Sequence, residues 1–313
     1  MVLVAIGEAN IDAYLAFIFE EADENGREFM ATIDLRGAVL RRRQDHFYLE
    51  DSRPAASLSV DRKERPDGSL MVSLTITPKG RQSGPLLAAL AEFLAVEEKS
   101  APRLRRYRLT APPEMTMPEA GLARLGFAAR PGRVKYVRDP GPPNEGEFPG
   151  AEAALAKGYA IAEIDEAMIA ANPALFATVT DIFNRGFAGQ AGISARDEAV
   201  MRERLTAPGC GTLLAMKGAA ITGYMHFTKL AKEVLVGEYA SVRRHWGSGS
   251  VDLMCRRMAA LVDERWGGPI VGYADVTNAP SCAAMERAGM RRAEEYPVWE
   301  LRVEAGAPIG PIP

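Results

Sequence analysis

The sequence predicts a mixed α/β (α+β) chain made of two copies of one domain, each a mixed, mostly antiparallel twisted sheet flanked by helices. Three observations lead there. A segment rich in proline and glycine, Pro140-Gly-Pro-Pro-Asn-Glu-Gly-Glu-Phe-Pro-Gly150, divides the 313 residues into halves of similar length and can continue neither a helix nor a central strand. Arg81 and Gly84 recur as Arg244 and Gly247, and Ala120, Arg124 and Gly126 recur as Ala283, Arg287 and Gly289, all at one offset of 163 residues. The second half, finally, reads in the order β-α-α-β-β-β-α-β-α-β. The expected organisation is a first copy over 1–139, a linker over 140–150 and a second copy over 151–313.

The elements of the second half follow from periodicity and breakers. Residues 159–164 form a short apolar strand, and 173–187 a helix with proline in its first turn. Ser194-Ala-Arg-Asp197 has the spacing of a helix cap ahead of 198–205. Gly209-Cys-Gly211 then breaks the chain. The runs 212–216, 221–229 and 234–242 make three β segments with short turns, an antiparallel meander. Beyond Gly247-Ser-Gly249, Val251, Met254, Met258, Leu261 and Arg265 recur at helical spacing, so an amphipathic helix packs one face on the sheet. A strand over 270–276, a helix over 280–288 stopped by Gly289, and a last strand over 298–303 complete the order.

Composition excludes several classes of function. With 38 Lys plus Arg against 41 Asp plus Glu and 47% hydrophobic residues, the chain buries a large core and carries no basic footprint for nucleic acid. Cys210, Cys255 and Cys282 form no C-x-x-C pair, and His46, His226 and His245 lie far apart. No disulfide framework and no metal site is therefore expected. The N-terminus reaches Glu8 without a basic region, and no stretch of about 18 apolar residues occurs. The expectation is a cytoplasmic monomer or homodimer that engages neither membrane nor nucleic acid.

The most informative residues are Arg244-His-Trp-Gly-Ser-Gly-Ser250, between a strand and a helix. Gly247 and Gly249 allow positive φ and a close approach of backbone to a ligand. Successive N–H groups ahead of a helix N-terminus form a concave anion site, and Arg244 adds a forked cation. Phosphate or pyrophosphate is the natural ligand. The loop is neither a Walker loop nor a dinucleotide fingerprint.

Arg-x-x-Gly-x-Gly between the fourth strand and a long helix, followed by a strand and Asn278, resembles the GNAT superfamily of acyl-CoA-dependent N-acyltransferases. In that family the Q/R-x-x-G-x-G/A loop cradles the coenzyme A pyrophosphate, and N-x-x-[AS]-x-x-x-Y-x-x-x-G-F lines the cofactor arm. Here the second motif reads Asn278-Ala-Pro-Ser281-Cys-Ala-Ala-Met285-Glu-Arg-Ala-Gly289-Met290. Asn278, Ser281 and Gly289 match; Met285 stands where many members carry the tyrosine that protonates the leaving thiolate. The resemblance covers about residues 158–303 well and 1–139 weakly. The layout of two acyl-CoA N-acyltransferase (GNAT) folds in tandem is similar to that of the mycothiol synthase family in architecture only.

The resemblance implies acetyl-CoA as acyl donor, no metal, and direct attack by a small-molecule or peptide amine. It implies cofactor contacts at Tyr239, Ala240, Ser241, Val242, Arg244, Trp246, Gly247, Ser248, Gly249, Ser250, Asn278 and Ser281. Backbone N–H groups over 239–241 would hold the acyl carbonyl oxygen, and Glu238 would act as base through water. His226 could line the acceptor pocket, and His245 and Trp246 could stack near the adenine or its ribose phosphate. Tyr273 and Asp275, two apart and so on one face of their strand, are expected to be ordinary sheet residues.

In the first copy Gly249 becomes Leu86, Glu238 becomes Thr75, Asn278 becomes Met115, Ser281 becomes Pro118, and Pro85 removes a donor. That copy is expected to be structural. Arg41–Arg43 and Arg103–Arg108 read as solvated basic runs. The alternative to an enzyme is a non-catalytic acyl-CoA-binding sensor or scaffold. An aminoacyl-tRNA donor on the same fold is disfavoured by the even charge.

Overall fold

A computed structural model of the chain describes residues 2–31, 34–42, 44–64, 68–98, 104–110, 117–144, 146–188 and 195–304. The chain folds into two compact units: residues up to Pro131 together with those from Pro297 onward, and Gly132–Tyr296. In the first unit the strands β1 (Val2–Ala5), β2 (His46–Glu50), β3 (Arg53–Glu64), β4 (Leu70–Pro78) and β5 (Arg105–Thr110) lie in that order, and the end of the last strand, β12 (Arg291–Val303), pairs with β5. Its helices are α1 (Ile11–Glu21), α2 (Glu24–Ala31), α3 (Leu35–Arg42), α4 (Ser83–Glu98) and α5 (Glu119–Arg124). Leu58, Val72, Leu74, Leu90, Phe93 and Tyr107 form its centre, each almost fully buried.

The second unit holds β6 (Ala128–Arg138, from Gly132 on), α6 (Ala151–Ala156), β7 (Tyr159–Glu163), α7 (Glu166–Ala171), α8 (Leu175–Gly186), α9 (Glu198–Leu205), β8 (Cys210–Lys217), β9 (Ala220–Lys229), β10 (Val234–Ser241), α10 (Ser250–Arg265), β11 (Ile270–Asp275) and α11 (Ala279–Arg287). The strand order is β6-β11-β10-β9-β8-β7. Helices α6, α10 and α11 cover one sheet face around Met254, Met258, Leu261 and Phe227, and α8 and α9 cover the other around Phe176, Phe183, Met201 and Tyr224. The methionines of α10 are core residues, as their helical spacing predicts.

Both units share one pairing pattern. Each has three antiparallel pairings, then one parallel pairing (β4 with β5, β10 with β11), then an antiparallel closing strand. The elements predicted for the second half are all present. Two short helices, α6 and α7, escape the sequence because six residues carry too little period to read. The cap of α9 is Asp197, whose carboxylate accepts from the Val200 amide at 2.8 Å; Ser194 lies outside the described residues.

The compact units differ from a cut at 139/151. The segment that ends the first copy in sequence, Arg133–Arg138, pairs with all six residues of β11 in the second unit, while Trp299–Val303 pairs with β5 in the first. Each sheet is closed by the strand that the other copy supplies, which hydrophobic alternation cannot reveal because it records a face and not a neighbour.

The segment 140–150 is likewise no loose linker. The buried Arg138 guanidinium donates to the carbonyls of Gly141 and Pro142 at 2.9 Å each and pairs with Glu147 at 3.0 Å. Phe148 is buried, with its amide bonded to the Arg287 carbonyl at 3.0 Å. The Gly150 amide donates to Asp252 at 2.9 Å. Five of the ten residues from Gly141 to Gly150 are thus held to Arg138, Asp252 and Arg287 of the second unit.

The closing-strand exchange predicts which fragments fold. A fragment of residues 132–296 keeps the Arg133–Arg138 ladder and is expected to give cooperative thermal unfolding by circular dichroism. A fragment of residues 151–313 loses that ladder and the anchors of 140–150, and is expected to aggregate or to unfold without a cooperative transition.

Candidate functional site

The site begins where β10 and β11 part. Their parallel ladder runs only over Val234, Val236 and the residue between, opposite Ile270–Gly272. At Gly237 the register of β10 against β9 slips by one residue, a β-bulge that bends the strand and ends the pairing with β11. From Glu238 to Ser241 the strand pairs with β9 alone. The Val242 amide donates to the Thr222 carbonyl. Alternation in an antiparallel ladder then turns the amides of Ala240 and Val242 toward β9 and those of Tyr239 and Ser241 toward the open edge.

The loop after β10 is built as its glycines suggested. Gly247 and Gly249 have φ of 71° and 89°. A Cβ on Gly247 would meet open space, whereas one on Gly249 would lie 2.0 Å from the Gly150 carbonyl oxygen. Gly249 is therefore required by the chain's own packing, and Gly247 faces the space a ligand could take. Ser248 Oγ accepts from the Ser250 amide and donates to Ser250 Oγ. Within this turn the amides of Gly247, Gly249, Val251 and Asp252 have no partner among the described residues, the last two because a helix leaves its first donors unpaired. They form a donor cradle that fits a polyphosphate. Asp252 would repel such an anion, but its carboxylate is bound by Arg287 Nη2 at 3.1 Å and Nε at 3.2 Å.

Arg244 is exposed and donates through Nε to His245 Nε2 at 3.1 Å, and His245 Nδ1 lies 2.6 Å from the Tyr159 hydroxyl. The Trp246 ring is 63% exposed, with its indole N–H on the Ser241 carbonyl at 3.0 Å. An aromatic face thus stands open to solvent at the loop, a place where a base can stack.

Asn278 is the N-cap of α11: its Oδ1 accepts from the Ser281 amide at 3.2 Å. Its predicted service to a cofactor arm is left to the other end of its amide group. Burial pushes the Tyr239 hydroxyl, near Ser281, up to about 12. Met285 is buried over β11, filling the gap at Gly272, where a Cβ would lie 2.8 Å from its Cε. Ala240 is buried against α8.

Glu238 departs from its expected role. Its carboxylate is buried, accepts from Arg196 Nη1 at 2.8 and 2.9 Å and from the Tyr224 hydroxyl at 3.0 Å, and forms an ion pair with Arg204 Nε at 3.5 Å. Burial alone would raise its proton affinity, but Arg204 and Arg196 outweigh that and hold it below the usual carboxylate range. A base working at neutral pH needs the opposite shift. His226, opposite Glu238 on β9, is fully buried and kept neutral, its value lowered to about 3 by burial first and by Arg204 next. Its Nδ1 lies 3.1 Å from Thr212 Oγ1. It is a satisfied core histidine. Arg196, just before the short polar helix α9, and Arg204, in its last turn, carry no motif by which the sequence could mark them.

The equivalent place in the first unit is closed. The β4–β5 ladder continues without a bulge over six pairs, Leu70–Thr75 with Arg105–Thr110, and Thr75 and Thr110 join hydroxyls at 3.0 Å. Leu86 is fully buried where the second unit has Gly249. Met115 lies outside the described residues. Among the described residues no group of His, Cys, Asp and Glu could hold a metal ion, and no helix is long and apolar enough to cross a membrane.

No family model and no curated protein matches the sequence. Solved structures do. A GCN5-related N-acetyltransferase from Anabaena variabilis ATCC 29413 matches at a TM-score of 0.56 and 11% identity, over 96% of this chain and 72% of that one. One from Sphaerobacter thermophilus matches at 0.51 and 15%, over 98% of each chain. One from Kribbella flavida matches at 0.51 and 15%, over 98% and 73%. The parallel pair that parts at a bulge, the glycine loop and the following helix thus sit in a fold similar to that of these solved N-acetyltransferases.

Proposed function

We propose that the chain is an acyl-CoA-dependent N-acyltransferase whose 132–296 unit transfers acetyl from acetyl-CoA to a primary amine of a small-molecule or peptide acceptor. One observation carries this reading: the open edge of β10 at Tyr239–Ser241 lies directly before a loop with four unpaired amides. Bound acetyl-CoA would supply a thioester carbonyl to the amine and a thiolate as leaving group. In this reading the loop amides and Arg244 hold the pyrophosphate, and the Tyr239 and Ser241 amides receive the carbonyl oxygen. The Tyr239 hydroxyl, kept protonated beside Ser281, offers the donor that Met285 cannot.

Glu238 acts here as a positioning residue: ionised at neutral pH, it orders two guanidiniums beside the bulge. A second reading, an acyl-CoA-binding sensor without turnover, draws on the same facts, since Met285 is inert and Glu238 is already paired. Release of free thiol from acetyl-CoA across a broad amine panel separates the two. Neither binding nor thiol release would sink both.

Calorimetry with acetyl-CoA is expected to find one site per chain, because only the second unit opens its parallel pair. Arg244→Ala should weaken binding about tenfold, the worth of one charge-assisted contact. Gly247→Ala should weaken it more while costing only about 1 kcal/mol of stability, since its Cβ meets ligand space and not the chain.

Glu238→Gln leaves two arginines without a counter-charge and should destabilise the chain by about 3 kcal/mol in denaturant unfolding. The carboxylate's lowered pKa makes its stabilising contribution complete at neutral pH and lost only as pH falls below the unfolded value, near 4.5, through the folded one. Any limb of the rate profile between pH 6 and 8 should therefore survive this substitution. Its disappearance would restore Glu238 as the base.

A further inference from the structure

The sheet face under α8 and α9 carries an unbalanced charge. Facing it are Glu238 from β10, Tyr224 and His226 from β9, Thr212 from β8, Arg204 from α9 and Arg196 just before α9. Tyr224 is held protonated by burial, and His226 is neutral. One carboxylate thus stands against two guanidiniums.

The two arginines are not equally satisfied. Arg196 gives Nη1 to both oxygens of Glu238, lies 4.0 Å over the Phe183 ring, and is fixed through its backbone by two 2.9 Å bonds to the Asn184 side chain. The Arg204 side chain makes no hydrogen bond to any described residue. Its approach to Glu238 is an ion pair at 3.5 Å, and its Nε is buried without a hydrogen-bond partner. The Arg204 side chain retains 18% exposure and Arg196 22%, while Glu238 behind them has 5%. Arg204 Nη2 would lie 3.3 Å from a Cβ on Gly237, so its fork abuts the bulge that opens the strand edge. A planar, mostly buried fork with its bonds unmade, reachable from outside, matches a carboxylate in shape, charge and donor count.

We infer that the acceptor is a carboxylate-bearing amine, an amino acid or a derivative with a free carboxylate, whose carboxylate is received by Arg204 and Arg196. This rests on the acyltransfer reading for the position of the amine. A carboxylate on Arg204 beside Gly237 would lie two residues along β10 from Tyr239–Ser241, the edge that would take the acyl carbonyl. The amine nitrogen forms the new bond to the carbonyl carbon, the carbon–sulfur bond breaks with its electron pair left on sulfur, and the amine proton passes to solvent.

The test compares L-amino acids with their α-carboxamides on the full chain. With acetyl-CoA, the acids should exceed the amides at least tenfold in kcat/KM, with the difference in KM. Arg204→Gln should raise KM for the acids at least tenfold, and Arg204→Lys, which keeps the charge and loses the fork, should recover only part of it. Acetyl-CoA binding checks that each variant is folded. A second readout needs no turnover: without acetyl-CoA, the preferred amino acids should raise the melting temperature of the wild-type chain where their amides do not. Equal response to acids and amides in both assays would overturn the carboxylate site, whereas loss of acetyl-CoA binding by the wild-type chain would overturn the acyltransfer reading alone.

Discussion

Everything at the candidate site depends on the length of one parallel ladder. Two adjacent parallel strands satisfy each other's backbone groups for as long as they stay in register, and they leave nothing for a ligand. In the first unit β4 and β5 do this over six pairs and seal the end with two threonine hydroxyls. In the second, the extra residue at Gly237 ends the ladder after three. Among the described residues the amides of Tyr239 and Ser241 then lack a strand partner, at the position where the loop ahead of α10 adds four more donors without one. A polar backbone edge left open inside a fold has a cost unless water or a ligand meets it. The opening occurs in this unit and not in the other, and it is the feature on which the proposed site rests.

The loop holds its shape by contacts that involve no ligand. Gly249 rests on Gly150, Asp252 binds the Gly150 amide and Arg287 together, and Arg287 offers its carbonyl to Phe148. The cradle is thus preorganised, with little loop entropy left to lose on binding. The same brace neutralises Asp252, the one acid that would oppose a phosphate at the helix start. The first unit lacks the brace: Arg124 persists at the position of Arg287, but Ala89 stands where Asp252 would.

Much of this was legible in the residues, and the limits have physical causes. The loop glycines and the helix behind them could be read because positive φ selects glycine and helical period marks a buried face; Asn278 was singled out only by the motif it resembles, and its place as a cap came with the structure. The segment 140–150 was misjudged because proline and glycine report what a chain cannot do, not what it packs against. Glu238 was correctly placed on its strand, yet its chemistry was not legible. The pKa of a carboxylate is set by neighbours such as Arg196 and Arg204, which lie 42 and 34 positions away in sequence and carry no motif of their own. Which strand closes which sheet was equally hidden, since β6 and β12 alternate alike.

That exchange gives a reason for a copy with a sealed ladder to persist. The second unit's β11 forms one wall of the opening, and its outer side is paired residue for residue by Arg133–Arg138, the stretch that ends the first copy in sequence. From the same strand Tyr136 reaches Glu286 on α11, and Arg138 anchors the segment that braces Gly249. An exposed edge on β11 would leave a row of unpaired amides beside the site and a template for aggregation. The strand Arg133–Arg138 is therefore needed by the sheet of the second unit whatever residues stand at Leu86 and Thr75.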